Sequence, residues 1–422
     1  MEKLFSKEQN TSYLNSYLYI NIFAILIFML INPLYALAAV TLLSLSYGRV
    51  SHLLIGILFV LSYTLLFSNQ VFQQNTDINS YINMYLGTEF SSYKNIFNLY
   101  IENLNGHEFL WFYYCKIVGS ISGYSKELFI FTTYSLILTL ATFIAYLLSE
   151  NGRYNFILLL FSLVFLEITF FSNIFDLWRT LIASLLFILS LLISNISQSR
   201  FLYRLIMYSS AFFHSSMFML IILYELFLII MSKKDFQFCN NFYYIKLSLL
   251  SIITIAVLTT VATFIPYLSY FGDTFLEGYR RYSELNTNLK FNIKNFLSPT
   301  YFLFFCYVIF NYKHIKQYEA FVIYSILVLS AIPYISNDMA MVYYRSGIVP
   351  TILMALLATR FLKNLSINYT LFFVVTIFTL RLLTYTYTNS ADSFIDIIAK
   401  GDFLNPSYGL IASIFYFNPI FQ

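Results

Sequence analysis

The chain has 422 residues, of which 59% are hydrophobic and 10% charged, and its formal net charge is +4. Soluble domains carry about 25% charged residues, so this composition excludes an ordinary soluble enzyme. The near-neutral balance, with no basic run, gives no reason to expect a nucleic acid partner. Cys115, Cys239 and Cys306 are an odd, scattered set that offers neither a disulfide framework nor a metal cluster.

Apolar runs recur from end to end. In chain order they cover residues 14–31, 34–47, 53–67, 128–148, 154–171, 177–194, 201–213, 217–231, 245–266, 300–310, 321–335, 342–358 and 369–383. The expected fold is all-α: a polytopic membrane bundle of about 12–13 segments forming one domain over residues 1–422. The first run has no small-residue cleavage site behind it and reads as a retained anchor. Several runs fall short of the roughly 20 residues a straight span needs. They are extended by flanking polar residues or are half-helices buried in protein. Phe and Tyr number 47 and 38 against two Trp, which matches A/T-rich codon usage better than an aromatic function.

The stretch 201–231 is too long for one span and carries His214-Ser215-Ser216 at its centre. Two short helices turning near His214 satisfy the positive-inside rule. With the N-terminus in the cytoplasm, Arg49, Arg153, Arg200, Arg204, Lys233, Lys234, Lys246, Lys313, Lys316, Arg360 and Lys363 all fall on the inner side. A single span would separate Arg200 and Arg204 from Lys233 and Lys234. The alternative is one broken helix with His214 at mid-depth. The hairpin topology makes residues 68–127 and 269–297 long outer segments, and residues 384–422 an outer tail.

Ionisable residues inside apolar segments are the leading functional candidates, because each is costly without a partner or water. Arg179 heads one run. Its planar guanidinium suits a diphosphate; equally, it has Asp176 three residues earlier on the same helix face as a structural partner. His214 can serve as a base near neutral pH, or as a neutral ring that satisfies a helix break. Arg280 and Arg281, flanked by Tyr279 and Tyr282, suit a phosphate and a sugar ring, or form a solvated charge pair. Arg345 opens a span from the outer side, where it reaches substrate or snorkels to lipid phosphates. Asp77, Tyr81 and Tyr85 recur every four residues on one helix face, a carboxylate-plus-phenol set suited to sugar hydroxyls or to an amphipathic surface helix. Glu108 is placed as an N-terminal helix residue favoured by the helix dipole. Glu167 and Glu225 are acids inside spans, each able to pair with a buried arginine.

The chain has no G-x-x-x-x-G-K-[ST] loop, no D-x-D motif, no G-x-S-x-G elbow and no zinc motif. Chemistry at the outer face then requires a substrate already activated there.

Asp77-x3-Tyr81-x3-Tyr85, Glu108-Phe-Leu, Arg179-x3-Ala183 and Phe213-His214-Ser215, in this order among apolar spans, resemble the EpsG-like branch of Wzy-type polysaccharide polymerases. The likeness spans about residues 60–235. It implies joining of undecaprenyl-diphosphate-linked oligosaccharide repeat units, for O-antigen or capsule, at the periplasmic face of a bacterial inner membrane. No cofactor or metal is expected. Arg179, Arg280, Arg281 and Arg345 are expected to hold the diphosphate, and His214 with Arg179 to carry the chemistry. Asp77, Tyr81, Tyr85, Glu108, Tyr279 and Tyr282 are expected around the sugars. A flippase and a chain-length regulator of the same pathway are the expected partners. An O-antigen ligase and a transporter of lipid-linked sugar are the rival readings.

Overall fold

The computed structural model describes residues 19–29, 52–68, 77–93, 108–149, 177–196, 200–230, 242–268, 315–335 and 340–361, with residues 36, 39, 40, 304 and 306–309 besides. All regular structure among them is helical. Ten of the helices among the described residues carry the fold: α1 (His52–Ser68), α2 (Asp77–Gly87), α3 (Phe109–Ser122), α4 (Lys126–Leu148), α5 (Trp178–Ile196), α6 (Arg200–Phe213), α7 (Met217–Ile230), α8 (Phe242–Leu268), α9 (Gln317–Ile335) and α10 (Ala340–Phe361). The expected spans at 34–47 (except residues 36, 39 and 40), 154–171 and 369–383, the outer segment 269–297 and the tail 384–422 lie outside the described residues. So do Tyr279, Arg280, Arg281, Tyr282, Asp176 and Glu167.

Among the described residues, two helices are long and apolar enough to cross a membrane, Lys126–Leu148 and Trp178–Asn195; five shorter apolar helices accompany them. The second is the hub of the fold. α5 packs against α4, α6, α9 and α10, and its buried residues run almost all round, from Leu181 and Ile182 to Leu191 and Leu192. A helix apolar on every face has to be enclosed. Hydroxyls in the apolar helices bond their own preceding turn: Ser62 to the Leu58 carbonyl at 2.8 Å, Thr133 to Phe129 at 2.8 Å and Ser251 to Leu247 at 2.9 Å. Such back-bonding satisfies a polar group where no water is at hand. α8 is two-faced. Leu247, Leu250, Ser251 and Thr254 are buried, and the Thr254 hydroxyl meets that of Tyr324 on α9 at 2.8 Å. Ile245, Leu249, Ile252, Ile253 and Val257 point outward, each more than half exposed.

The expected break at His214 is a tight turn. The His214 N–H still donates to the Ser210 carbonyl at 3.1 Å, while the Met217 N–H returns to the His214 carbonyl at 3.1 Å and starts α7. Arg204 on α6 pairs with Glu225 on α7 at 3.0 Å. These residues stand ten before and eleven after His214, so α6 and α7 close as an antiparallel hairpin.

A second corner positions the helix that carries Tyr81. α3 ends at Gly123 (φ 62°), and Tyr124 (φ 61°) is also left-handed. Two successive left-handed residues fold the chain back, so that the Tyr124 ring lies against Gly119, where a Cβ would collide with it. The buried Lys116 ammonium donates to the Thr88 and Glu89 carbonyls at 2.9 and 3.1 Å, just past the end of α2, and the Tyr124 hydroxyl donates to the same Thr88 carbonyl at 3.3 Å. A cation on carbonyls at a helix C-terminus is favourable for the same reason that the macrodipole is negative there. Lys116 thereby fastens α2 across α3.

Candidate functional site

Arg179, in the first turn of α5, reaches the Glu108 residue that precedes α3. Its Nη1 donates to Glu108 Oε2 at 2.5 Å. Glu108 sits at the N-cap position of α3 but makes no side-chain cap bond there; its carboxylate leaves its own helix and crosses to the others. The second oxygen, Oε1, accepts from the Ser215 N–H at 3.1 Å and the Ser215 hydroxyl at 3.2 Å, and lies 3.2 Å from His214 Nδ1. On the far side of the ring, Arg345 Nη1 approaches His214 Nε2 at 2.9 Å. Ser346 donates to the Ser216 carbonyl at 3.0 Å, fixing α10 against the turn.

The starts of α3, α5 and α7 and the end of α6 all meet at this node, with Arg345 arriving from near the start of α10. Helix N-termini carry partial positive charge, so the place favours an anion even before its arginines are considered. Among the described residues, two guanidiniums and one carboxylate leave a net positive charge with the ring neutral. Glu108 and His214 are both buried, at 8% and 3% exposure.

The protonation of His214 follows from its neighbours. A guanidinium can only donate, so Nε2 presents its lone pair to Arg345. Nδ1 has two neighbours at 3.2 Å, the Ser216 N–H, which donates to its lone pair, and Glu108 Oε1, which can only accept a proton from it; a neutral ring satisfies one of the two. Burial pushes His214 down, Glu108 opposes this, and Arg345 and Arg179 add to it, leaving the ring at about 3. Burial alone would raise Glu108, but His214, Arg179, the Ser215 N–H and Arg345 outweigh it and hold the carboxyl at about 2. With the ring neutral, Arg179, the Ser215 N–H and Arg345 still favour the carboxylate. The resting node is therefore carboxylate, neutral imidazole and two guanidiniums.

An aromatic floor supports Arg179. Its guanidinium carbon lies 5.1 Å from the centroid of Tyr81. Tyr81 stacks on Trp178 at 5.9 Å and meets Trp111 edge-on at 5.3 Å. Arginine over an aromatic face gains about 0.5–2 kcal/mol, and the ring fixes the guanidinium plane.

Of the residues expected at the site, the structure brings Arg179, His214, Arg345, Glu108 and Tyr81 together. Glu108 faces arginine and histidine in the interior, its carboxylate shared among Arg179, Ser215 and His214. Tyr81 lies 2% exposed under Arg179, so its ring serves the guanidinium. Tyr85 is fully buried; its hydroxyl is 2.7 Å from that of Ser122 and donates to the Ser125 carbonyl at 3.1 Å, and its ring stacks on Phe129 at 4.1 Å. That placement closes it to a sugar. Asp77 begins α2, on the helix face that carries Tyr81 and Tyr85. Arg179 takes Glu108 as its partner, and Glu225 takes Arg204. Trp111, Trp178 and Lys116 were missed as supports. The available signal is a tryptophan three residues after the carboxylate Glu108 and another immediately before the cation Arg179.

No group of three or more His, Cys, Asp or Glu side chains suited to a metal occurs among the described residues. Together the fold and the node define an all-helical protein with membrane-compatible helices and a buried, cation-rich polar centre at a helix turn. No family model matches the chain, and no curated protein or solved structure matches it.

Proposed function

We propose that the chain is a polytopic inner-membrane glycosyltransferase that joins undecaprenyl-diphosphate-linked oligosaccharide repeat units at the periplasmic face, with its N-terminus in the cytoplasm. The observation that carries this reading is the convergence of Arg179 and Arg345 on the Glu108–His214 pair at a turn where helix N-termini meet. The outward apolar face of α8 supports a lipid surround, since soluble monomers seldom expose contiguous apolar patches larger than a few hundred Å².

In the proposed reaction, the acceptor hydroxyl oxygen bonds to the anomeric carbon of the donor. The bond from that carbon to the diphosphate oxygen breaks, and its electron pair leaves on undecaprenyl diphosphate. Arginines stabilise that developing charge without a metal. The hydroxyl proton passes to His214 Nε2, which becomes available when Arg345 turns from the ring to the phosphate. Glu108 at Nδ1 then stabilises the imidazolium, as a carboxylate behind a histidine base does elsewhere. The donor is already activated, which agrees with the lack of any nucleotide-binding motif.

Glycan analysis of a deletion strain tests the reading. A single repeat unit left on the core, with polymer lost, is the expected result. Lipid-linked polymer that never reaches the core means a ligase, and lipid-linked single units trapped on the inner face mean a transporter.

A further inference from the structure

We propose that Glu108 is the resident anion of a diphosphate site: its Oε2 holds Arg179 until a substrate phosphate takes its place on that guanidinium. This rests on the reading of the node as a diphosphate site and adds how the site is kept when no donor is present.

A carboxylate and a phosphate present similar pairs of oxygens to the guanidinium fork. Glu108 already sits where an anion would be best held. Its oxygens meet Arg179, the Ser215 N–H and hydroxyl just before α7, and His214. It is recruited from 71 residues before Arg179 and 107 before Ser215, and it gives up capping its own helix to be there. The two oxygens are unequally engaged. Oε1 is anchored to Ser215 and His214, while Oε2 is held by Arg179 alone among the contacts described. Exchange at Oε2 therefore leaves Glu108 in place behind His214. The Tyr81 ring keeps the guanidinium plane fixed while its partner changes. The buried Ser216 Oγ, beside the same turn and with no partner among the described residues, is one more donor for the incoming oxygens.

Glu108→Gln removes the competing charge and keeps the shape. The chain's two tryptophans, Trp111 and Trp178, both contact Tyr81, so intrinsic fluorescence reports on the site directly. Purified full-length protein in nanodiscs would be titrated with inorganic pyrophosphate, and separately with a polyprenyl diphosphate carried in the disc. The expected result is binding about tenfold tighter in Glu108→Gln than in wild type for at least one probe, because a like charge facing the ligand is gone. Tightening with pyrophosphate alone or with both probes assigns the exchange to the phosphate itself; tightening with the prenyl compound alone assigns it to the lipid-borne donor. Equal or weaker binding of both probes overturns the proposal.

Should Glu108→Gln be too unstable to titrate, its melting temperature provides the second readout. Pyrophosphate should raise it by more than it raises that of wild type, because the added anion fills the place of the lost one; an equal or smaller rise overturns the proposal. In a polymer assay the same variant should bind donor more tightly yet turn over more slowly, a split that a purely structural glutamate would not give. If polymer is lost in the deletion strain while Glu108→Gln leaves both affinities unchanged, the exchange fails and the polymerase reading stands. The reverse pair of results keeps the anion site and removes the polymerase.

Discussion

One ion pair closes the α6–α7 hairpin on itself and another holds its turn to the rest of the molecule, and they differ in kind. Near the open end, Arg204 and Glu225 meet at 3.0 Å with side-chain exposures of 45% and 25%. At the turn, Arg179, Glu108 and His214 meet with side-chain exposures of 12%, 10% and 4%. The chemistry of each contact is similar, but the surroundings are not. An exposed pair contributes about 0–1 kcal/mol because water and side-chain entropy offset the attraction. Removing one partner of a buried pair leaves an uncompensated charge and costs about 3–5 kcal/mol. A cluster that costly to maintain, placed where helix N-termini converge, calls for a function; the pair at the open end needs none.

The strongest way to break this contrast is Arg179→Ala. It should destabilise the protein by about 3–5 kcal/mol, the range for a broken buried pair, and abolish polymer, as read by unfolding in detergent and by glycan gels. Full-length polymer in this variant would remove Arg179 from the mechanism. Arg179→Lys keeps the charge but loses the planar fork, so polymer should fall sharply at normal protein level.

Acid separates the two regions next. The Glu108 and His214 pKa values both lie below their ordinary values of 4.5 and 6.5, at about 2 and 3. Between about 6.5 and 3, the unfolded chain binds a proton at His214 that the folded chain refuses, and the same holds for Glu108 between 4.5 and 2. Where the unfolded state binds more protons, stability rises with pH; the node's contribution is thus complete above about pH 6.5 and is lost as pH falls. Melting temperatures measured from pH 8 to 4 should show this decline, and His214→Gln should remove the part that begins near 6.5. A wild-type curve flat from 7 to 5 would contradict a buried neutral ring.

A close approach yields a smaller effect. Gly119→Ala places a methyl group against the Tyr124 ring, an overpacking cost of about 1–3 kcal/mol, measurable by denaturation. Smallest of all, a double-mutant cycle on Arg204 and Glu225 should give a coupling below about 1 kcal/mol. A larger value would mean that the open end is less exposed to solvent than its surface area indicates.

Where the apolar runs fall on described residues they coincide with helices, because a helix satisfies its own backbone hydrogen bonds away from water; α2 and α3 lie outside every such run. The run 177–194 became α5 (Trp178–Ile196), and the interruption His214-Ser215-Ser216 became the turn between α6 and α7. Partner choice was not legible. Nothing local tells Arg179 to reach Glu108, 71 residues away. Helical spacing put Tyr81 and Tyr85 on one face, which holds, but it does not say whether that face looks to a sugar or to the interior. Packing against Phe129 and Trp178 decided for the interior. Lys116 was passed over because its partners are backbone carbonyls, which leave no mark in a side-chain pattern.

Reconstitution of the purified full chain with undecaprenyl-diphosphate-linked repeat units tests the account most directly. The prediction is a ladder of polymer with one undecaprenyl diphosphate released per bond formed, lost in Arg179→Ala and strongly slowed in His214→Gln. Repeat units left unjoined by wild type, or a ladder that persists undiminished in both variants, would contradict it.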